Sequence, residues 1–198
     1  MAEILLFLAA AYLLGSIPFG YLLVRLRGKD DIRKQGSGNI GAANVLRNHG
    51  WRIALATLVL DLAKGAVPVL VGARLFEDPA WAVAGGTMAI AGHIYPVLLK
   101  FSGGKGVATF VGAVAATHFP AALVFVAVFF AVLHGSRFVS AASLAAGTTS
   151  FLAILFSQVA EVSMVFCLAM VLIVVRHRAN IRRLATGTEL RFHWRFHG

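Results

Sequence analysis

The stretch "KGVATFVGAVAATHFPAALVFVAVFFAVLH", Lys105 to His134, carries no lysine, arginine or carboxylate after its first residue. It reads either as one long membrane helix or as two short ones broken at Thr117, His118 and Pro120, and the number of times the chain crosses a membrane turns on the choice. That a membrane is involved follows from composition. Of 198 residues, 59% are hydrophobic and 13% charged, with a mean hydropathy of +0.82, whereas a soluble domain carries about 25% charged residues. The chain is therefore expected to be one all-α integral membrane domain over residues 1–198. The N-terminus, Met1-Ala2-Glu3, enters an apolar stretch without a basic segment or a small-x-small cleavage site, so the first span is expected to be retained rather than removed as a signal peptide. Cys167 is alone, cannot form an intramolecular disulfide and is read as a small hydrophobe.

A hydrocarbon core about 30 Å thick needs roughly 20 apolar residues per helix. Spans are expected near residues 4–24, 53–73, 80–99, 105–117, 119–134, 138–157 and 160–175. Cytoplasmic loops collect Lys and Arg, and that rule decides the count. With seven spans and the N-terminus outside, the inner segments hold Arg25, Arg27, Lys29, Arg33, Lys34, Arg47, Arg52, Lys100, Lys105, Arg137, Arg176, Arg178, Arg182, Arg183, Arg191 and Arg195. Lys64 lies within a span, Arg74 falls outside, and the acids Glu3, Glu77, Asp78 and Glu161 join it there. Six spans would expel Arg137 or the arginine-rich tail, so the expected topology is seven helices with a cytoplasmic C-terminus. Proline favours the break at Thr117–Pro120 because it removes a backbone donor.

The net charge of +10 matches orientation plus attraction to anionic lipid headgroups. Nucleic acid is excluded as a partner, because the cations are divided among short loops with no room for a soluble binding module. Two inner loops are unusual in composition. The first, "KQGSGNIGAANVLRNHG" (Lys34 to Gly50), places Gly36, Gly38 and Gly41 among Ser37 and Asn39; glycines here allow positive φ and can aim successive N–H groups at an anion. The other, "FSGGKGVATF" (Phe101 to Phe110), surrounds Lys105 with Gly103, Gly104 and Gly106. It is not a nucleotide P-loop, since Leu99 stands where that motif needs glycine and Gly106 where it needs Ser or Thr. The tail adds "RHRANIRRLATGTE" (Arg176 to Glu189). Two glycine-rich cationic loops and a basic tail on one face point to a site for more than one phosphate.

These residues resemble a known family. "GSGNIGAANVLR", "GHIYPVLLKFSGGKGVAT" and "RHRANIRRLATGTE" are similar to the three signature motifs of the bacterial acyl-phosphate:glycerol-3-phosphate acyltransferases. "YLLGSIPFGYL", "LDLAKG" and "RFVSAAS" extend the likeness to nearly the whole chain. Ala43 departs from the pattern, where the family usually has Thr. The resemblance implies seven transmembrane helices with an external N-terminus, in the bacterial inner membrane, with the active site facing the cytoplasm. It also implies a reaction in which the 1-hydroxyl of glycerol 3-phosphate attacks the carbonyl of a fatty acyl phosphate, giving 1-acylglycerol 3-phosphate and phosphate. By motif matching, Ser37 and Arg47 contact substrate, Arg47 being suited to bidentate capture. Gly103, Gly104, Lys105 and Gly106 form the hole for the acyl phosphate. Asn180 hydrogen-bonds substrate, His177 lies on the same helical face, Glu189 fixes the tail against an arginine, and Ser143 is a weaker phosphate contact, one turn after Ser140.

The proton acceptor is left open between His177, whose ordinary pKa suits the task, and the substrate's own phosphate. Acyl-CoA-dependent enzymes pair a His with an Asp five residues on, but the residues five after His49, His93, His118, His134 and His177 are Ala54, Leu98, Leu123, Val139 and Arg182. No cofactor or metal is expected, nor an obligate protein partner; the partners are the two substrates and membrane lipid. Asp61 and Lys64 are expected either to pair with each other or to lie beside a cavity in the bundle, since a lone charge at mid-membrane costs about 2.5–3.5 kcal/mol on insertion scales. His93 stands where it can brace the glycine loop, and Gly15, Ser16 and Pro18 are expected to kink the first helix. His118 and His134 are read as interfacial, and the Phe125–Phe130 run as facing lipid or an acyl groove. The competing class is a transporter for an organic phosphate, which requires internal repeats with paired broken helices that the sequence does not display.

Overall fold

The computed structural model describes residues 1–28, 30–157 and 160–192; the inner-face assignments of Lys29 and Arg195 lie outside the described residues. The described chain is all helical. Helix α1 (Ala2–Gly15) and α2 (Phe19–Gly28) are followed by a glycine-bearing loop and α3 (Ala42–His49). Helices α4 (Trp51–Leu75), α5 (Pro79–Ile94), α6 (Val107–Thr117), α7 (Phe119–Ser136), α8 (Val139–Ser157), α9 (Ala160–Arg176) and α10 (Arg178–Ala185) complete the order. Their ends fall close to the expected spans. Helix α3 is an addition, and α10 starts after a 54° bend with His177 as its N-cap, so His177 and Asn180 do not share one continuous helix with α9.

The stretch from Lys105 to His134 folds as two helices. His118 turns the corner with φ −148° and ψ 87°, and its Nδ1 accepts the Ala121 amide at 3.2 Å, capping α7. Pro120 sits in the first turn of α7, where its missing N–H costs no helical hydrogen bond. Helix α6 has only 11 residues, about 16 Å at 1.5 Å per residue, roughly half the hydrocarbon thickness. Five segments are long and apolar enough to cross a membrane, namely Ala2–Gly28, Trp51–Leu75, Pro79–Leu99, Phe119–Ser136 and Val139–Ser157. A sixth is possible by length if α9 and α10, which meet at 54°, are taken together. The architecture is thus an integral membrane helical bundle, and α6 is the element that keeps seven full-length crossings from being read off helix length.

The first span breaks where the sequence places its kink. Ser16 closes α1 by donating its amide to Tyr12 at 2.9 Å, and Pro18 intervenes before α2 starts. Close packing is set by glycine. A Cβ on Gly65 would overlap the Thr109 carbonyl, and one on Gly112 would overlap that of Leu62, so α4 and α6 touch backbone to backbone; Gly15 against Ala89 and Gly92 against Tyr12 do the same for α1 and α5. Lipid offers no hydrophobic drive between helices, which makes such close approach the main source of association. The buried centre joins Ile90 and Ile94 of α5, Phe110 of α6, Ile154 of α8 and Phe166 of α9, with Phe110 and Phe166 edge to face at 5.9 Å. Leu6, Leu70, Phe130, Phe156 and Met164 point outward, as lipid-facing residues do.

Because Leu62 meets Gly112 through backbone atoms that cannot move aside, Gly112→Leu is expected to destabilise the bundle by about 1–3 kcal/mol. Thermal unfolding in detergent measures this. Gly135→Ala, where no atom lies within 4 Å of the added carbon, serves as the neutral control.

Candidate active site

Three hydrogen-bonded hubs shape one end of the bundle. The first belongs to the loop before α3. Asn44, buried on α3, donates its amide to the carbonyls of Asn39 (2.8 Å), Gln35 (3.0 Å) and, more weakly, Ile32 (3.3 Å). Its Oδ1 accepts the Ser37 amide at 2.9 Å. The loop can wrap this side chain because Gly36 and Gly38 take φ of 54° and 70°, which glycine adopts at little cost. The side chains of Ser37 and, two helical residues beyond Val45, Arg47 are left exposed.

The second hub is Glu189. Its Oε1 accepts from Ser140 Oγ at 2.7 Å and from Asn180 Nδ2 at 2.6 Å, while Oε2 accepts from Arg183 Nε at 2.7 Å. These bonds, led by the one from Ser140, outweigh burial and hold the carboxyl below the ordinary glutamate range. The tail reaches this point because α10 ends in a turn with Gly187 at φ 70° and the Thr188 amide bonded to Arg183. One carboxylate thereby ties α8, α10 and the tail together. Asn180 spends a donor on it, and Ser143 bonds within its own helix to Val139 at 2.8 Å; Ser140, not Ser143, reaches across.

The third hub is the glycine loop before α6. The amides of Gly103 and Gly104 donate to the carbonyls of Ile94 (3.1 Å) and His93 (3.0 Å). Their own carbonyls accept from Arg176, at 2.9 Å from Nη2 to Gly103 and 3.1 Å from Nε to Gly104. A Cβ on Gly103 would overlap His93 O and the Pro96 ring, and one on Gly104 would overlap the His93 imidazole. The four expected residues of the phosphate hole therefore divide. Gly103 and Gly104 have both backbone groups committed to holding the loop. Lys105 and Gly106 lead into α6 with Gly106 at φ 81° as its N-cap, without a side-chain cap. Orphan amides at a helix start are aimed at whatever lies beyond it, and they favour an anion.

The charged groups of all three hubs sense one another. Lys105 is held down to about 8, first by burial, with Glu189 opposing and the guanidinium groups of Arg183, Arg47 and Arg176 reinforcing the shift. His177, 1% exposed, follows α9 with Nδ1 2.8 Å from the Ile173 carbonyl. That carbonyl can only accept, so Nδ1 carries the hydrogen and a neutral ring leaves Nε2 bare. Arg47, Lys105, Arg176, Arg183 and His177, with Asn180 bonded to Glu189, thus come from separate segments to within electrostatic reach of Lys105 or Glu189, whereas the contact of Ser37 is its amide bond to Asn44. Among the described residues, no three His, Cys, Asp or Glu side chains are grouped to hold a metal ion.

Sequence reading missed Asn44, Ser140 and Arg176 as site-builders. Asn44 sits within "GSGNIGAANVLR" on the apolar side of α3, and a polar residue on a face otherwise filled by Val45 was the available signal. Arg176 carries the same composition as any inner-face arginine, and only its position opposite the glycine loop distinguishes it.

A family model described as glycerol-3-phosphate acyltransferase matches residues 5–187. A glycerol-3-phosphate acyltransferase of Geobacter sulfurreducens is 45% identical over 195 residues, covering 97% of this chain and 99% of that one. One of Brucella anthropi is 43% identical over 182 residues, covering 92% and 90%. The crystal structure of PlsY (YgiH), an integral membrane glycerol 3-phosphate acyltransferase, in its glycerol 3-phosphate form superposes with a TM-score of 0.92 at 39% identity over 96% of both chains. Its lysophosphatidic acid form gives 0.90 at 38%, again over 96% of each. Agreement over the full bundle, including the loops that carry the three hubs, makes this chain a member of the glycerol-3-phosphate acyltransferase family.

Proposed function

We propose that the protein transfers a fatty acyl group from acyl phosphate to the 1-hydroxyl of glycerol 3-phosphate, as the first step of phospholipid synthesis. The observation that carries this reading is the convergence of cations. Cations from three segments, Arg47, Lys105 and Arg183, meet beside uncapped amides at the start of α6, and the walls behind them are apolar helices. Such a place suits two phosphates and one fatty chain. The protein is read as crossing the inner membrane of a bacterium seven times, N-terminus outside and C-terminus cytoplasmic, with α6 as a short crossing. Helix α6 has 11 residues against 18 in α7, so its N-terminus stops about 10 Å short of the inner end of α7 at 1.5 Å per residue. A phosphate held there sits below the headgroup plane, with its acyl chain in the hydrocarbon.

In the proposed complex Lys105 and the amides leading into α6 hold the acyl phosphate, while Ser37 and Arg47 hold glycerol 3-phosphate. Asn180 contacts substrate through its free carbonyl oxygen, fixed in orientation by Glu189, and Ser143 stays a supporting residue. Attack by the 1-hydroxyl oxygen forms the ester C–O bond, the bond from the carbonyl carbon to the phosphate oxygen breaks, and the hydroxyl proton finishes on the released phosphate. Two acceptors for that proton are at hand, His177 Nε2 and a phosphate oxygen. Phosphate needs little help to leave, so aligning hydroxyl and carbonyl and offsetting two phosphate charges supply the acceleration.

Purified protein in nanodiscs, given palmitoyl phosphate and labelled glycerol 3-phosphate, is expected to form labelled lysophosphatidic acid. No product, with uptake of the label into proteoliposomes instead, would favour an organic phosphate transporter. Lys105→Ala is expected to lower turnover by at least about a hundredfold, the usual cost of one charge-stabilising donor, with an unchanged melting temperature. Lys105 is charged below its pKa of about 8. The kcat/KM for acyl phosphate, which reports the free enzyme, should therefore decline as pH rises through that value. Lys105→Arg, still charged there, should lose this alkaline limb while keeping part of the activity. Glu189→Gln, which removes the charge that collects Ser140, Asn180 and Arg183, should cost about 1–2 kcal/mol of stability, because the Arg183 side chain is 38% exposed and solvent screens the pair.

A further inference from the structure

Beneath the glycine loop lies a buried charge cluster that the acyl-transfer chemistry does not use. Asp61 and Lys64 of α4 and His93 of α5 are 2%, 2% and 4% exposed. Lys64 Nζ stands 2.9 Å from Asp61 Oδ1 and donates at 3.0 Å to the carbonyl of Ile17, in the break that Pro18 makes between α1 and α2. His93 Nδ1 is 3.5 Å from the same Asp61 oxygen. Neither contact of that oxygen is aligned as a hydrogen bond, so Asp61 Oδ1 and His93 Nδ1 are buried polar atoms without an aligned partner among the described residues. Buried polar atoms held by charge alone, without an aligned hydrogen bond, are uncommon.

The cluster's upper edge is the loop. His93 contributes its carbonyl to the Gly104 amide at 3.0 Å, and its imidazole Nε2 fills the space a Gly104 side chain would take. The imidazole is thus wedged between Asp61 and the loop backbone. Its height sets that of Gly104, and Lys105 and Gly106 follow at once. The neighbouring Tyr95 carbonyl is fixed from α1 by the Tyr12 hydroxyl at 2.7 Å, so the segment under the loop is held from two helices.

We propose that Asp61, Lys64 and His93 are positioning residues for acyl phosphate: a buried ion pair and a wedged imidazole that set the register of Lys105 and the α6 amides. The inference rests on the proposed acyl-transfer function for its kinetic readout and on loop geometry alone for its second one. None of the three side chains touches substrate. Glycerol 3-phosphate, assigned to Ser37 and Arg47 on the loop before α3, should not feel them.

The test uses the full-length protein in nanodiscs. His93→Ala is expected to raise KM for palmitoyl phosphate by about tenfold or more while KM for glycerol 3-phosphate stays within about twofold, a split that general loosening would not produce. Gly104→Ala, whose methyl meets the imidazole, should lose nearly all activity, and the double variant Gly104→Ala with His93→Ala should recover at least about tenfold over it, because contacting residues are non-additive. Equal rises in both KM values, or no recovery in the double variant, would overturn the proposal. Should His93→Ala fail to fold, His93→Gln takes its place. If the wild-type protein transfers no acyl group, the functional reading fails separately. Amide hydrogen exchange over residues 101–110 then decides: faster exchange in His93→Gln supports the wedge, and unchanged exchange refutes it.

Discussion

The two hydrogen bonds from Arg176 to the carbonyls of Gly103 and Gly104 are the contact on which the site depends. Buried carbonyls demand hydrogen-bond donors, and ones without partners are rare. Arg176 meets that demand from the end of α9. With the Gly103 and Gly104 amides drawn down to Ile94 and His93, the loop's own polarity is spent inward. What remains, Lys105, Gly106 and the start of α6, is free for a ligand. Glycine is required at both positions for the same reason, since the backbone lies directly on the His93–Pro96 segment.

Helix packing fixes where the loop begins. Reciprocal glycine contacts press α6 against α4, and the corner at His118 ends α6 after 11 residues. Meanwhile Glu189 collects α8, α10 and the tail. Separate short-range networks, each complete in itself, thus hold cationic side chains close together, which mutual repulsion would otherwise scatter.

Much of this was legible in the sequence, and the reasons differ by feature. Membrane character and the helix ends followed from hydropathy and from residues with a single mechanical meaning, such as Pro120 after His118 and Pro18 after Ser16. The family followed from long motifs in order. Pairing of Asp61 with Lys64 was one of the two arrangements that the cost of a lone buried charge left open. The extent of crossing by α6 did not follow, because charge placement reports on which side a loop lies and not how far a helix reaches. Nor did the division of labour within "SGGKG", since backbone commitments depend on what sits opposite: His93 from α5 and Arg176 from α9 are remote in sequence. Asn44 and Ser140 were hidden for a similar reason. Their partners, the carbonyls of Gln35 and Asn39 and the carboxylate of Glu189, exist only once the chain has folded back.

Acyl phosphate as donor is the proposal that unites the clustered cations around Lys105 with the apolar helices that carry them. Phosphorus NMR of the purified protein in nanodiscs, supplied with glycerol 3-phosphate and either palmitoyl phosphate or palmitoyl-CoA, tests it most directly. The account predicts that the palmitoyl phosphate resonance is replaced by those of inorganic phosphate and lysophosphatidic acid in equal amounts, with no lysophosphatidic acid from palmitoyl-CoA. Turnover with palmitoyl-CoA and none with palmitoyl phosphate would contradict it.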